Sequence, residues 1–301
     1  MKIPIVFLGT GQAIPTAKRN HTAILLSYKS ENILIDCGEG TQRQFRKAKI
    51  NPCKLTRILI THWHGDHILG LPGLFQTLAL NNYPKTLCIY GPKGTGKFIS
   101  LIYQLFIFRE KLKIKVEEIE SGKVLETPDF KIEALPMKHN APCLAFSFVE
   151  KEKLRMDKAK LEKLKLRGNM IAELVKGRDI KLNDRVIKAS QVSYRQAGKK
   201  ITVIMDTGMN ENAVKIAKNS DLLICESTFL ENSENGRQLA KEYKHLTAKQ
   251  AAEIAKKSKS KKLILTHLSQ RYENKEKLIL QEARKIFKNV EIAEDLDKIE
   301  V

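Results

Sequence analysis

Short apolar segments that end on polar residues recur along the chain, and this pattern predicts buried β-strands. Ile58, Leu59 and Ile60 form one such segment, and Thr61 and His62 follow it directly. Runs of about four to eight apolar residues bounded by turn residues are typical of buried strands. The same pattern predicts strands over residues 2–9, 23–28, 32–36, 86–90, 200–205, 221–225 and 262–265.

Helical segments alternate with these strands. Helical patterns cover residues 42–49, 210–219 and 247–258, with Thr247 as the N-cap of the last, and a further helix-like run begins at Leu69. Strands that alternate with helices predict an α/β fold with a parallel sheet. Residues 117–148 instead hold short apolar runs separated by turn residues, a pattern that predicts antiparallel strands.

One loop concentrates possible metal ligands directly after a predicted strand. It reads His62-Trp63-His64-Gly65-Asp66-His67, with three imidazoles and a carboxylate in six residues. Imidazole nitrogen and carboxylate oxygen are donors that zinc favours, and a catalytic zinc keeps one coordination position open. Because neighbouring side chains on a tight loop diverge, we expect His62 and His64 on one metal ion and Asp66 and His67 on another.

Further polar residues follow other predicted strands. His139, His245 and His267 lie at such positions, as do Asp206 and the three histidines of the loop. Since the carboxyl ends of parallel strands meet at one edge of a sheet, these side chains are expected to gather there. Asp36 also ends a strand, but we expect it to support a ligand from behind instead of binding metal itself.

The net charge of the chain indicates what kind of partner it binds. The 301 residues carry a net charge of +20 with a pI near 9.7, and 42% of them are hydrophobic. A soluble protein this basic is expected to bind a polyanion such as nucleic acid. An anionic membrane surface ranks lower, because no long apolar run or signal peptide is present. Five scattered cysteines indicate buried thiols in a reducing cytoplasm.

Half of this net charge comes from one window. Residues 151–200 hold sixteen Lys or Arg and six Asp or Glu, a surplus of ten. The apolar residues that accompany them form a thin stripe: Leu154, Leu161, Leu164 and Leu166. Such a run is either a solvated helical face or an appended element that grips RNA, and the local surplus favours the second.

The His62–His67 loop resembles that of the metallo-β-lactamase superfamily of two-metal hydrolases. The resemblance implies an αββα sandwich with two Zn2+ per subunit, although other divalent metals can serve. It implies that His62, His64 and His139 hold the first zinc, that Asp66, His67 and His267 hold the second, and that Asp206 bridges them. The chemistry that the resemblance implies is hydrolysis by a metal-bound hydroxide. Asp66 is either the general base or a ligand only.

Several further blocks are similar to the ribonuclease Z family of tRNA 3′-processing endoribonucleases. They are Lys18-Arg19-Asn20 after Pro15, Asp36 to Gln42, Leu69 to Gly73, Glu226-Ser227-Thr228 and His245-Leu246-Thr247. The resemblance implies that His245, oriented by Glu226, donates a proton to the departing ribose oxygen or binds the phosphate. It also implies that Lys18, Arg19 and Asn20 contact the substrate.

The family resemblance gives an expected organisation and function. Residues 1–150 and 191–301 would form the two halves of the hydrolase domain, and residues 151–190 an inserted basic arm that binds tRNA. The segment 167–174 lacks the prolines common in such arms. We expect a cytoplasmic homodimer that removes the 3′ trailer from precursor tRNA and leaves a 3′-hydroxyl. A general phosphodiesterase, a thioesterase or a lactonase would share the metal pattern, but the last two would not explain the basic insertion.

Overall fold

A computed structural model describes residues 2–108, 112–182 and 185–301. In these residues the strands are β1 Pro4–Gly9, β2 Ala23–Tyr28, β3 Glu31–Ile35, β4 Arg57–Leu59, β5 Leu87–Gly91, β6 Ile114–Glu118, β7 Gly122–Glu126, β8 Phe130–Pro136, β9 Leu144–Glu150, β10 Lys153–Met156, β11 Ile180–Leu182, β12 Arg185–Ile187, β13 Ser193–Gln196, β14 Lys200–Ile204, β15 Leu222–Glu226, β16 Leu263–Thr266, β17 Val290–Ile292 and β18 Lys298–Glu300.

The same residues form ten α-helices, most of them short. They are α1 Thr41–Lys47, α2 Gly65–Ile68, α3 Leu71–Leu80, α4 Thr95–Leu105, α5 Lys158–Lys163, α6 Asn169–Val175, α7 Glu211–Ala217, α8 Gly236–Tyr243, α9 Ala248–Lys257 and α10 Glu276–Arg284. None of the helices in the described ranges is long and apolar enough to cross a membrane. Thr247 caps α9 as predicted, since its side chain accepts a hydrogen bond from the backbone N–H of Gln250.

Two seven-stranded sheets form the main unit, which comprises residues 1–126, 131–148 and 200–301. The first sheet has the order β18-β1-β2-β3-β4-β5-β6, and the second has the order β17-β16-β15-β14-β9-β8-β7. Tyr28 of β2 and Phe148 of β9 meet edge to face, with ring centroids 5.2 Å apart, so the sheets pack against each other. Helices cover the outer faces, and the arrangement is the expected αββα sandwich.

Each outer face has its own apolar cluster. Leu34, Ile58 and Ile89 of the first sheet pack with residues of α1 and α3, such as Phe45 and Phe75. The second sheet is covered by the alanine-rich inner face of α9, together with apolar residues of α7 and α10. Small alanines let a helix approach a sheet closely, which is why α9 is buried along most of its length.

Parallel pairing places the carboxyl ends of several strands at one edge. β3, β4, β5 and β6 are parallel neighbours in the first sheet, as are β14, β15, β16 and β17 in the second. The predicted strands over residues 23–28 and 32–36 pair as an antiparallel hairpin, β2 with β3. The antiparallel prediction for residues 117–148 holds for β7 and β8 but is wrong at its start, since β6 pairs in parallel with β5.

A second, smaller compact unit comprises residues 127–130 and 149–199. It contains α5 and α6 and two antiparallel ribbons, β10 with β13 and β11 with β12. Leu161, Leu166 and Leu174 are buried in a small core that also includes Ile187 and Val192. The segment is therefore a compact unit and not a solvated helical face with a thin apolar stripe. Leu154 and Leu164 of that stripe are exposed, and the core draws on residues that no helical repeat connects.

Candidate metal centre

The histidine-rich loop leaves the carboxyl end of β4 and enters α2. His62 lies three positions after the last residue of β4, and His64 is the N-cap of α2. His62 and His67 are fully buried, whereas His64 and Asp66 are half-buried. Gly38 permits this close packing, because a Cβ atom there would lie 2.3 Å from the carbonyl oxygen of Asp66. The loop thus sits tightly against the end of β3.

His62, His64, His139 and Asp206 form the first cluster, and their ligand atoms all lie within 4.8 Å of one another. The Nε2 atom of His139 is 3.1 Å from Nδ1 of His64, and Nε2 of His62 is 3.5 Å from Oδ2 of Asp206. Burial lowers the pKa of His139 to about 4 and also lowers that of His64. Both imidazoles are therefore neutral at pH 7, the state that binds a metal ion.

Asp66, His67, Asp206 and His267 form the second cluster, again within 4.8 Å. The Nε2 atoms of His67 and His267 are 3.2 Å apart. Oδ1 of Asp206 lies 3.4 Å from the first of these nitrogens and 3.2 Å from the second. Asp206 therefore offers one carboxylate oxygen to each cluster, Oδ2 to the first and Oδ1 to the second.

The ligand atoms of the two clusters are arranged to bind cations, and hydrogen bonds among them do not satisfy all of them. Nε2 of His62 and Oδ1 of Asp206 are buried and have no hydrogen-bond partner among the described residues, which is costly unless a bound group satisfies them. Burial acts to lower the pKa of His67, but the carboxylates of Asp206, Asp36 and Asp66 outweigh it and raise the pKa well above its ordinary value. The electric field here favours positive charge, as a divalent metal site requires.

Other side chains orient the ligands from behind. Asp36 is fully buried, and its Oδ2 accepts a hydrogen bond from Nδ1 of His67 at 2.7 Å. Its carboxylate also accepts from the backbone N–H and the hydroxyl of Thr61. Nδ1 of His139 donates to the carbonyl of Lys244 at 3.2 Å. In each case Nδ1 is engaged, so that Nε2 is the nitrogen presented to the cluster.

His245 and Glu226 pair beside the two clusters. Nδ1 of His245 lies 3.1 Å from both carboxylate oxygens of the fully buried Glu226. Burial acts to lower the pKa of His245, but Glu226 and Asp206 outweigh it and raise the pKa to about 9. Glu226 also accepts from the backbone N–H of Thr207 and from the hydroxyl of Thr228. Both of its oxygens therefore have hydrogen-bond partners, and Glu226 orients His245.

The three candidate substrate contacts differ in exposure. Lys18 is exposed, and its ammonium donates to the side-chain oxygen of Asn274. Arg19 is buried and donates to the Thr10 hydroxyl and the Ala293 carbonyl, both at 2.7 Å. Asn20 is buried too, with its amide bound to the Glu39 carbonyl. The structure thus gives Arg19 and Asn20 contacts that hold the loop, and leaves only Lys18 exposed.

Two residues of this region escaped the sequence reasoning. The carboxylate of Asp295 accepts four hydrogen bonds, from the N–H and hydroxyl of Thr10, the N–H of Asn20 and the amide of Gln44. Thr228 contacts Glu226 and His267 through its hydroxyl. Asp295 follows β17 closely, so the strand-end rule could have found it. Thr228 has no such signal beyond its place in the Glu-Ser-Thr block.

Comparison with known proteins finds relatives that share one name, ribonuclease Z. A family model described as the anti-Pycsar protein Apyc1 matches residues 3–98. The chain is 40% identical to ribonuclease Z of Methanothermobacter thermautotrophicus over 99% of this chain and 96% of that protein. It is 39% identical to ribonuclease Z of Protochlamydia amoebophila, over 97% of this chain and 94% of the relative.

Solved structures agree with these relatives. The short form of human tRNase Z superposes with a TM-score of 0.72 at 29% identity, covering 98% of each chain. The metallo-β-lactamase fold protein YhfI of Bacillus subtilis superposes with a TM-score of 0.71 at 19% identity, over 100% of this chain and 99% of its own, and supports the fold alone. With near full-length identity of 40% to a ribonuclease Z, the chain belongs to the ribonuclease Z family.

Proposed function

We propose that this chain is a zinc-dependent endoribonuclease that removes the 3′ trailer from tRNA precursors and leaves a 3′-hydroxyl on the tRNA. The single observation that carries the proposal is the pair of clusters that share Asp206, one oxygen to each. Relatives named ribonuclease Z support the substrate. The net charge of +20 suits a polyanionic RNA.

Seven residues would hold the metal ions. His62, His64 and His139 would hold one zinc, Asp66, His67 and His267 the other, and Asp206 both. A site of two zinc ions supplies Lewis acidity and neutralises charge on a phosphodiester. Oδ2 of Asp66 lies 3.3 Å from Nε2 of His67, a position that suits a ligand. Whether Asp66 also accepts the proton of the attacking water stays a prediction.

His245 would manage the proton at the leaving group. Its Nδ1 hydrogen bonds to Glu226, so its Nε2 hydrogen is available on the side that faces Asp206, 3.9 Å away. When water attacks phosphorus, the bond between phosphorus and the ribose 3′-oxygen breaks, and that oxygen takes a proton from Nε2. The phosphate then stays on the trailer. An imidazole held by a buried carboxylate suits this role, and it suits phosphate binding equally.

The smaller unit would supply affinity for the body of the tRNA. Lys158, Lys163 and Arg167 are exposed there, and no carboxylate of the described residues lies within ion-pair distance of them. Contacts from such residues to phosphates give affinity without base readout. In the loop at the site, Lys18 would contact RNA, while Arg19 and Asn20 would keep the loop in place.

We also propose that the enzyme works as a cytoplasmic homodimer. The outer face of α4 exposes Phe98, Leu101 and Leu105, and beside them a cavity of about 520 Å3 is lined by Trp63, Ile68 and Ile102. An apolar face of this kind is costly in water and suits a second copy of the chain. Five free cysteines fit a reducing compartment.

Metal content and cleavage together test the function. The purified protein, loaded with zinc, should contain two zinc ions per chain and cut a 3′-extended tRNA precursor. His64→Ala should lower the content and reduce cleavage by at least about 100-fold, because the first cluster loses one of its nitrogens. Lys285→Gln, at the exposed C-cap of α10, is the control and should behave as the parent. Undiminished cleavage by His64→Ala would overturn the assignment.

A further inference from the structure

The smaller unit carries one aromatic residue between positions 149 and 199, Tyr194, and its side chain is exposed. Its relative exposure is 55%, and no ring or cation contact to it occurs within the described residues. Tyrosine normally buries much of its ring, so an exposed one without a partner has no packing role. Such a ring is available to a ligand.

Tyr194 lies on one face of the ribbon formed by β10 and β13. It is directly opposite Arg155, and Lys153 is opposite Gln196. Because directly opposed residues of an antiparallel pair share a face, these four side chains form one surface. The hydrogen bond from Nε of Arg155 to Oε1 of Gln196, at 2.8 Å, fixes the arginine on that face. We refer to Lys153, Arg155, Tyr194 and Gln196 as the ribbon face.

The opposite side of the ribbon packs against the core of the smaller unit at one end. Met156 contacts the core of the smaller unit, and α6 lies against β10. Leu154 and Arg195 are opposite each other on the same side as Met156, and both are exposed. The ribbon is thus anchored at Met156, while Arg155 and Tyr194 of the ribbon face are exposed to solvent.

The charge of the ribbon indicates the kind of ligand. Its eight residues include Lys153, Arg155 and Arg195 and no acidic residue. Lys153 is paired with Glu150, and Arg195 with Glu152. Among the described residues, Arg155 makes one side-chain hydrogen bond, to the neutral Gln196, so its guanidinium keeps donors for an anion. An aromatic ring beside such an arginine suits a base next to a phosphate.

We propose that the ribbon face binds an unpaired nucleotide of the tRNA, with its base or ribose stacked on Tyr194 and its phosphate on Arg155. The proposal rests on the proposed function and specifies how one surface contacts the same substrate. Loops of folded RNA splay out bases that a ring can stack on, whereas bases inside a duplex are not accessible. The contact requires a folded precursor with loops and not the scissile bond alone.

Binding measurements on three variants test the proposal. Tyr194→Ala should raise the Kd for a precursor tRNA by about tenfold, because one stacked base is lost. Tyr194→Phe keeps the ring and should bind as the parent. Val186→Ala removes another exposed apolar side chain of the same unit and should also bind as the parent. Hydrolysis of a small phosphodiester should be unchanged in all three.

An RNA without loops distinguishes stacking on an unpaired base from contact with the RNA backbone. A duplex that carries only the acceptor stem and trailer should bind the parent and Tyr194→Ala equally. Equal Kd values of Tyr194→Ala and Val186→Ala for the full precursor would overturn the proposal, as would a Tyr194→Phe variant as weak as Tyr194→Ala. A changed molecular mass of Tyr194→Ala in solution would show that the face binds protein. If the parent did not cut the precursor, the proposed function would fail, independently of these comparisons.

Discussion

At the scale of single residues, the Thr228 hydroxyl connects the two parts of the site. It has one proton, which it donates to Oε2 of Glu226 at 2.5 Å. Its oxygen is then the acceptor for Nδ1–H of His267 at 3.0 Å. This arrangement fixes the tautomer of His267, so that the bare Nε2 faces Asp206. One hydroxyl thus orients His267, a proposed metal ligand, and supports the carboxylate that holds His245.

Replacing Thr228 with valine should therefore weaken the second metal cluster. Valine has nearly the same shape but no hydroxyl, and we expect metal affinity at that cluster to fall by roughly 10- to 100-fold. Titration of the metal against a chelator of known affinity measures this directly. Thr228→Ser keeps the hydroxyl and should retain most of the affinity. Equal losses in the two variants would show that the methyl group matters and the hydrogen bonds do not.

Asp295 has a comparable role for the loop that carries Lys18. Removing its carboxylate in Asp295→Ala would leave donors of Thr10, Asn20 and Gln44 without their acceptor. We expect a loss of roughly 2–4 kcal/mol in the free energy of unfolding. Urea unfolding measures it, with Asp297→Ala as the control, since that carboxylate accepts the N–H of Glu294. A loss no larger than the control's would contradict the role.

The roles of some site residues could be predicted from the sequence, and the roles of others could not. His62 and Asp206 were predictable because each follows an apolar strand, and parallel pairing brings such positions together. Arg19 and Asn20 were expected to contact the substrate because their block resembles that of the ribonuclease Z family. Their burial depends on contacts with Ala293 and Glu39, far away along the chain, and no local pattern encodes such contacts.

At the scale of elements, the strands of the main unit could be predicted from the local sequence pattern, whereas the elements of the smaller unit could not. Buried parallel strands are continuous apolar runs that a sequence displays directly. The smaller unit buries Leu161, Leu174 and Ile187 from three different elements, each only a few residues long. Short elements carry little periodic signal, so charge was the only property of this segment that could be interpreted from sequence.

The charge of α5 and the turn that follows it predicts a salt effect. The triple variant with Lys158, Lys163 and Arg167 changed to Gln should bind precursor tRNA more weakly. It should also lower the slope of log Kd against log salt concentration by roughly two, because each lost phosphate contact reduces the number of counterions that binding releases. The matched control changes Lys256, Lys257 and Lys285 to Gln and removes the same charge. Equal slopes for both variants would assign the effect to net charge alone.

At the scale of the whole molecule, net charge and exposed apolar surface have opposite effects on the association of two copies of the chain. A charge of +20 keeps copies of the chain apart and attracts RNA. The exposed face of α4 offers a surface on which two copies can meet, since Lys97 is the one charged residue in that helix. Assembly would therefore depend on a small uncharged area within a strongly basic protein.

Placing a charge on that area should separate the copies. Leu105 is 76% exposed, so Leu105→Glu should fold normally and shift the protein from dimer to monomer. Light scattering coupled to size exclusion measures the mass. Leu278→Glu, on α10 with an exposure of 49%, is the matched control and should leave the mass unchanged. A parent that is monomeric at micromolar concentration would exclude this part of the proposal.

The chemical nature of the new RNA ends tests the central claim most directly. We predict that the zinc-loaded protein cuts a 3′-extended tRNA precursor once, on the 3′ side of the acceptor stem. The tRNA should end in a 3′-hydroxyl and the trailer should begin with a 5′-phosphate, because water attacks phosphorus and the ribose 3′-oxygen leaves. A 2′,3′-cyclic phosphate or a 3′-phosphate on the tRNA, or cuts scattered away from the acceptor stem, would contradict the account.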